Sequence, residues 1–129
     1  MAANKAVSPA LGYVIRAGDR SVYFAGDTAL FAAMAEIPGV EVALLPIWGW
    51  GATLGEHHLD PSSAARATAL LQPQHVVPIH WGTYSPVRVG RGGPEWLDVP
   101  LERFRTALDD HGLGDRLVPL HPGESITLR

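Results

Sequence analysis

Short apolar runs along the chain predict the strands of one sheet. Residues 12–16 and 21–25 are rich in β-forming side chains and flank a Gly-Asp turn, which predicts a β-hairpin. Residues 42–47 and 75–79 are apolar throughout, a pattern typical of strands that are covered on both faces.

Three further segments have the apolar spacing of helices. The first covers residues 30–37 and is stopped by Pro38. The second has Asp60 as its N-cap and extends over residues 61–71. The third has apolar side chains at positions 101, 104 and 108 and ends before Gly112.

The rest of the chain completes the predicted order of elements. Residues 82–98 contain several glycines and prolines and predict an exposed excursion, while residues 116–120 and 125–128 predict two final strands. Strands that alternate with helices indicate an α/β fold, with parallel strand pairs and helices on at least one face of the sheet. In such sheets, functional side chains collect beyond the carboxyl ends of the strands.

Composition narrows the class of protein. The chain has 129 residues, which suits one domain, and it is 47% hydrophobic and 18% charged, as globular proteins are. Its net charge of -3 argues against broad contact with nucleic acid or with an anionic membrane. Cysteine is absent, which excludes disulfides, thiolate metal ligands and a cysteine nucleophile and fits a cytoplasmic location. No run approaches the ~20 apolar residues of a membrane span.

Two polar residues at predicted strand ends each allow two interpretations. Asp27 follows an aromatic strand and precedes a predicted helix, so it is either the N-cap of that helix or a carboxylate that holds a cation. His80 ends an apolar strand beside a glycine, so it is either a buried structural histidine or a metal ligand.

Other histidines and the tryptophans are candidates of a different kind. His58 lies in a loop before the second helix and is either solvent-exposed or an acid-base group that contacts substrate. Trp48, Trp50 and Trp81 follow the same strand ends, where they form either a hydrophobic plug or the wall of a substrate pocket. We expect His121, at the end of a late strand, to be structural.

Three segments together resemble the metallo-β-lactamase fold. They are Phe-Ala-Gly-Asp-Thr at residues 24–28, His-Leu-Asp-Pro at residues 58–61 and Val-Pro-Ile-His-Trp-Gly-Thr-Tyr at residues 77–84. The last two resemble the branch that includes the N-acyl-phosphatidylethanolamine phospholipase D-like and the L-ascorbate-6-phosphate lactonase-like proteins. The resemblance extends from residue 12 to about residue 128.

This resemblance implies a four-layer αββα sandwich of two similar halves, with two divalent metal ions, zinc or manganese, at one edge. By resemblance, Asp27 is the carboxylate that bridges the two metals and His80 is a ligand of the second metal. His58 lies near the reacting substrate, in an acid-base or oxyanion role. The resemblance thus implies a metal-activated water that attacks an ester, lactone, amide or phosphodiester.

The chain departs from the family pattern in one large respect. The family has a His-x-His-x-Asp-His run in its N-terminal half, and no His-x-His occurs in this sequence. We therefore expect residues 1–129 to be a single domain that corresponds to the C-terminal half, without the N-terminal metal-binding half. The expected fold is half of an αββα sandwich, a mixed sheet with helices on one face.

Two functions remain open at this point. The first is a metal-dependent hydrolase of small molecules, represented here by a truncated chain whose metal site is incomplete and which is inactive alone. The second is a non-catalytic half-domain that forms a homodimer or complements another chain, because half a sandwich has an uncovered apolar face. Neither function involves nucleic acid or a membrane.

Overall fold

The computed structural model describes residues 11–48, 57–82 and 95–129. The described strands form one four-stranded sheet in the order β1-β2-β3-β4. Its strands are β1 (Tyr13–Ala17), β2 (Arg20–Phe24), β3 (Val42–Pro46) and β4 (His75–Ile79), and the α-helices are α1 (Pro61–Leu71) and α2 (Glu95–Asp110).

The sheet is mixed, as predicted. Strands β1 and β2 form an antiparallel hairpin, whose turn contains Gly18 at a φ of 61°, a backbone conformation that glycine adopts without strain. Strand β3 runs parallel to both β2 and β4, with Phe24 opposite Leu44 and Leu44 opposite Val77. The carboxyl ends of β2, β3 and β4 therefore meet at one edge of the sheet.

One face of the sheet is covered by helices and carries the core. Residues that face this layer, such as Tyr23, Leu45 and Val76, are between 0% and 3% exposed. They pack in one cluster with Ala64 of α1 and Phe104 of α2. The four alanines of α1 permit close approach of this helix to the sheet, which explains why the segment is rich in alanine.

The opposite face is open on the side of the hairpin. We use "open face" for the surface of Tyr13, Ile15, Phe24 and Leu44, which the strand register places side by side. Tyr13 is 57% exposed and Ile15 is 61% exposed, although both are large and apolar. The prediction that helices lie on one face is confirmed, and part of the other face meets solvent in this structure.

Helix α1 has strong local signals at both ends. The Asp60 carboxylate accepts a hydrogen bond of 2.7 Å from the Ser63 amide, while the Asp60 amide donates one of 2.8 Å to the Ser63 hydroxyl. At the other end, Gln72 adopts a left-handed conformation with a φ of 47°. Arg116 donates to the Gln72 side chain at 3.1 Å. The reciprocal bonds of Asp60 and Ser63 fix the start of α1, which follows the site directly.

Two predicted helices differ in extent from the prediction. The segment before Pro38 forms only a short 3-10 helix, Ala32–Glu36, in which Met34 alone is buried. So short a segment has too few helical hydrogen bonds to sustain an α-helix. Helix α2 begins at Glu95, inside the predicted excursion, and tolerates Pro100 in its interior. No described helix combines the length and the apolar character that a membrane crossing requires.

The two predicted C-terminal strands are absent from the described residues. Leu117 makes a single parallel bridge to Val76, and the Val118 amide donates to the Val76 carbonyl at 2.9 Å. Pro119 then ends the pairing because it has no amide hydrogen to donate. The residues after Pro122 have β-forming composition but no paired strand beside them, and composition alone does not make a ladder.

Candidate active site

The carboxyl edge of the sheet brings several predicted site residues to one side of the molecule. Asp27, Trp48 and His80 follow β2, β3 and β4 closely along the chain. Gly26 makes the turn before Asp27 at a φ of 67°, and a Cβ atom there would lie 3.0 Å from the carbonyl oxygen of Leu11. Only glycine fits this position without a shift of backbone.

Asp27 contacts His58 across 31 positions of sequence. The Asp27 Oδ1 atom is hydrogen-bonded to the Nδ1 atom of His58. The Asp27 side chain is 63% exposed and that of His58 is 30% exposed, so the pair lies at the surface with the imidazole half-buried. Asp27 does not cap the helix that follows, because the N-cap of that 3-10 helix is Phe31 and no side chain caps it.

A backbone hydrogen bond supports the contact between these two segments. The Leu59 amide donates to the carbonyl oxygen of Thr28 at 2.9 Å, one residue beyond each member of the pair. Leu59 is 1% exposed and packs in the core, and Asp60 is the N-cap of α1. His58 is therefore attached to a buried anchor and a capped helix on its C-terminal side.

His80 has an unusual backbone conformation. Its φ of 57° lies in the left-handed region, which non-glycine residues rarely adopt, and Gly82 follows with a φ of 71°. Such conformations cost free energy and cluster at functional sites. The turn leaves His80 exposed at the end of β4, and the neighbouring Trp81 is held by a 3.0 Å hydrogen bond from its indole nitrogen to the Pro78 carbonyl.

A cleft of about 520 Å³ lies beside His80. Its wall includes Trp81 and the turn that contains His121 and Glu124. The His121 amide donates to the Glu124 carboxylate at 2.8 Å, and the Glu124 amide donates back to the His121 carbonyl at 3.0 Å. The His121 ring meets the Trp81 ring edge-on, with centroids 5.6 Å apart.

His121 is thus a candidate site residue that the sequence analysis did not identify. We expected it to be structural, and the structure places its ring in the wall of the same cleft as His80. The sequence feature that could have indicated this role is the His-Pro-Gly-Glu segment at residues 121–124. Such a segment predicts a turn, which holds the first side chain in a defined direction.

The three tryptophans have different environments. Trp81 is half-buried, lines the cleft and packs against the core. Trp48 is half-buried, and the guanidinium of Arg103 lies 5.8 Å from the centre of its ring, within the range of a cation–π contact. Trp50 lies outside the described residues.

The described donors do not complete a metal site. Among residues 11–48, 57–82 and 95–129, no three histidine or carboxylate side chains are grouped so that they could hold a metal ion. Asp27 and His80 follow strands on opposite sides of β3, and two strand spacings amount to about 10 Å. A catalytic zinc normally has three protein ligands, so these two residues are at most part of a ligand set.

Comparisons with known proteins agree with this architecture. Residues 2–81 match the family model described as "Beta-lactamase superfamily domain". The chain is 37% identical over 122 residues to a UPF0173 metal-dependent hydrolase of Nitratidesulfovibrio vulgaris, and 38% identical over 125 residues to one of Symbiobacterium thermophilum. Each alignment covers 92% of this chain.

A solved structure supports the same assignment of fold. Igni18, described as a metallo hydrolase from Ignicoccus hospitalis, superposes with a TM-score of 0.66 at 34% identity, over 92% of this chain. The chain spans less than half of each of these proteins, namely 44%, 48% and 45% of their lengths. The resemblance in sequence is confirmed at the level of the superfamily: the chain belongs to the beta-lactamase superfamily domain family.

Proposed function

We propose that this chain forms part of the active site of a metal-dependent hydrolase. Asp27 and His80 are the proposed metal ligands and His58 is the proposed acid-base group. The observation that carries the proposal is that the carboxyl edge of the parallel strands gathers these polar side chains, where α/β proteins place their chemistry. The names of the relatives, metal-dependent hydrolases, support the same reaction class.

The proposal requires further ligands for the metal, which is zinc or manganese. Asp27 and His80 leave a catalytic ion short of its usual three protein ligands, and the described residues supply no third. We therefore propose that the missing ligands come from outside the described residues, in the rest of the polypeptide or on a partner chain.

The proposed substrate is a small molecule with an ester, lactone, amide or phosphodiester bond and an apolar part. The cleft beside His80 supports this, since Trp81 and the aliphatic side chains of β4 line it. Trp48 and Trp50 are proposed as further substrate-binding residues from the sequence alone.

Metal binding tests the proposal directly. In calorimetric titration with Zn²⁺ or Mn²⁺, we expect the 129-residue chain to bind weakly or not at all, and Asp27→Asn and His80→Gln each to reduce any binding that is measured. His111→Gln, at the far end of α2, serves as the matched control and leaves binding unchanged. Sub-micromolar, stoichiometric binding by a verified monomer would contradict the incomplete site.

Turnover tests the roles of the residues. In a protein that carries the complete ligand set, Asp27→Asn removes the charge and preserves the shape of the side chain. We expect hydrolysis to fall by orders of magnitude and the melting temperature of the metal-free protein to stay near normal, since Asp27 is mostly exposed. Unchanged turnover would remove Asp27 from the proposed site.

The open face favours a second role for the chain, assembly with a second copy of itself. Tyr13, Ile15 and Phe24 form an exposed apolar surface on one sheet, and two copies of one surface can pair about a two-fold axis. A stable interface ordinarily buries about 800 Å² on each partner. Sheet-to-sheet pairing would bring the two copies together through this surface.

Light scattering coupled to size exclusion tests the assembly. We expect a dimer or larger species, and we expect Ile15→Lys to shift it to monomer because the charge lies on the open face. The neighbouring residue Val14 points to the other side of β1, so Val14→Lys is the matched control and preserves the dimer. A compact monomer that binds no hydrophobic dye would contradict the assembly.

A further inference from the structure

We infer that Asp27 is also a positioning residue that fixes the tautomer of His58. The Asp27 carboxylate holds the proton of His58 on Nδ1 and leaves Nε2 as the atom that accepts a proton from substrate or water. This inference deepens the proposed function, on which the use of the Nε2 atom rests, but the tautomer itself follows from the contact between the two side chains.

The donor and acceptor inventory of the pair determines the direction of the hydrogen bond. An ionised carboxylate only accepts hydrogen bonds, so the Nδ1 atom of His58 is the donor to Asp27 Oδ1. A neutral imidazole carries one proton, and with that proton on Nδ1 the Nε2 atom has a free lone pair. The free amino acid prefers the opposite tautomer, so the contact reverses the intrinsic preference of the ring.

The surroundings of the pair are preorganised on both sides. The left-handed turn at Gly26 sets the direction of the Asp27 backbone. The next residue after His58, Leu59, is buried in the core and anchors the His58 backbone. The 2.9 Å bond from the Leu59 amide to the Thr28 carbonyl joins the two segments independently of the side chains. An exposed polar contact held by flexible side chains alone would be short-lived, whereas this hydrogen bond joins two anchored backbones.

The contact with His58 uses one of the two oxygens of the Asp27 carboxylate. Its Oδ1 atom is taken by His58, and Oδ2 makes no hydrogen bond to the described part of the chain. The positioning role therefore does not use up the carboxylate. In the acid-base step, Nε2 takes one proton from an attacking water and later gives it to the leaving group, so the imidazole ends neutral as it began.

The tautomer is directly measurable in the metal-free 129-residue chain. Long-range ¹⁵N–¹H correlation spectra, recorded at an alkaline pH at which the ring is neutral, distinguish the protonated ring nitrogen from the free one. We expect the His58 signals to report a proton on Nδ1. In Asp27→Ala, which has no acceptor, and in Asp27→Asn, whose amide can donate to Nδ1, we expect the proton to move to Nε2.

Two controls keep the result specific. His58→Gln assigns the signals, and His57→Gln leaves the His58 pattern in place because, among the described residues, it is His58 and not His57 that is hydrogen-bonded to Asp27. Backbone amide spectra confirm that Asp27→Ala is folded. An Nε2 proton in the wild-type chain, or the same tautomer in Asp27→Ala, would overturn the inference. Neither metal nor substrate enters the measurement, so failure of the hydrolase proposal alone leaves this result standing.

Discussion

On the side of the hairpin, the two faces of the sheet differ in burial although both carry large apolar side chains. Leu45 is fully buried against the helices, while its neighbour Leu44 points to the open face and is half-buried. The tyrosines of the hairpin show the same difference, since Tyr23 is 3% exposed and Tyr13 is 57% exposed. A strand that is apolar throughout is thus expected to be covered on both faces. Which face is buried within one chain depends on which neighbouring layer that chain supplies.

The largest expected effect is a difference in the free energy of unfolding between variants of Leu45 and Leu44. Leu45→Ala is expected to lower the free energy of unfolding by about 3 kcal/mol, because it removes a fully buried side chain and leaves a cavity. Leu44→Ala, on the open face, is expected to cost ~1 kcal/mol because less of the side chain leaves water on folding. Urea denaturation of both variants at the same protein concentration measures the difference.

Equal decreases in the free energy of unfolding of Leu45→Ala and Leu44→Ala would contradict the difference in burial between the two faces. They would mean that Leu44 is as well packed in solution as Leu45, and hence that another layer covers the open face. Dilution would then sharpen the result, because a cover supplied by a second copy makes the cost of Leu44→Ala depend on concentration.

The next effect concerns the layer that covers the buried face. Asp60→Ala removes the capping box of α1 and is expected to cost ~1 kcal/mol in the free energy of unfolding. Asp27→Ala is its control, since Asp27 caps no helix and is mostly exposed, and we expect its cost to be smaller. Thermal and urea unfolding measure both. A larger cost for Asp27→Ala would mean that its contact with His58 stabilises the fold more than the helix cap does.

Local signals explain which parts of the fold were predictable. Helix α1 carries an N-cap, a proline in its first turn and a left-handed C-terminal residue, so its bounds follow from nearby residues. The strands β3 and β4 are continuous apolar runs and were predicted within a residue of their bounds. The C-terminal strands were wrongly predicted because a strand needs a partner with free hydrogen-bonding groups, and composition does not report whether one is present.

The site divides in the same way. Functional side chains gather at the carboxyl ends of parallel strands, so the sequence alone predicts Asp27 and His80 at one edge of the sheet. The contact of Asp27 with His58 was not predictable, because it depends on how the loop before α1 returns to the end of β2. The position of His121 was not predictable for a similar reason. Its contact with Trp81 depends on the path of the chain after α2, which the sequence pattern does not report.

The smallest expected effect uses pH to compare the two faces through their tyrosines. Burial on the covered face raises the pKa of Tyr23 above its ordinary value of 10.0, because the phenolate is poorly solvated there. The unfolded chain therefore releases this proton at a lower pH than the folded chain does, and stability falls as the pH rises above about 10. We expect Tyr23→Phe to flatten this alkaline decline in the free energy of unfolding, measured in urea between about pH 8 and pH 11. Tyr13→Phe is the control on the open face and is expected to leave the decline in place, whereas flattening by both variants would mean that the open face is buried in solution.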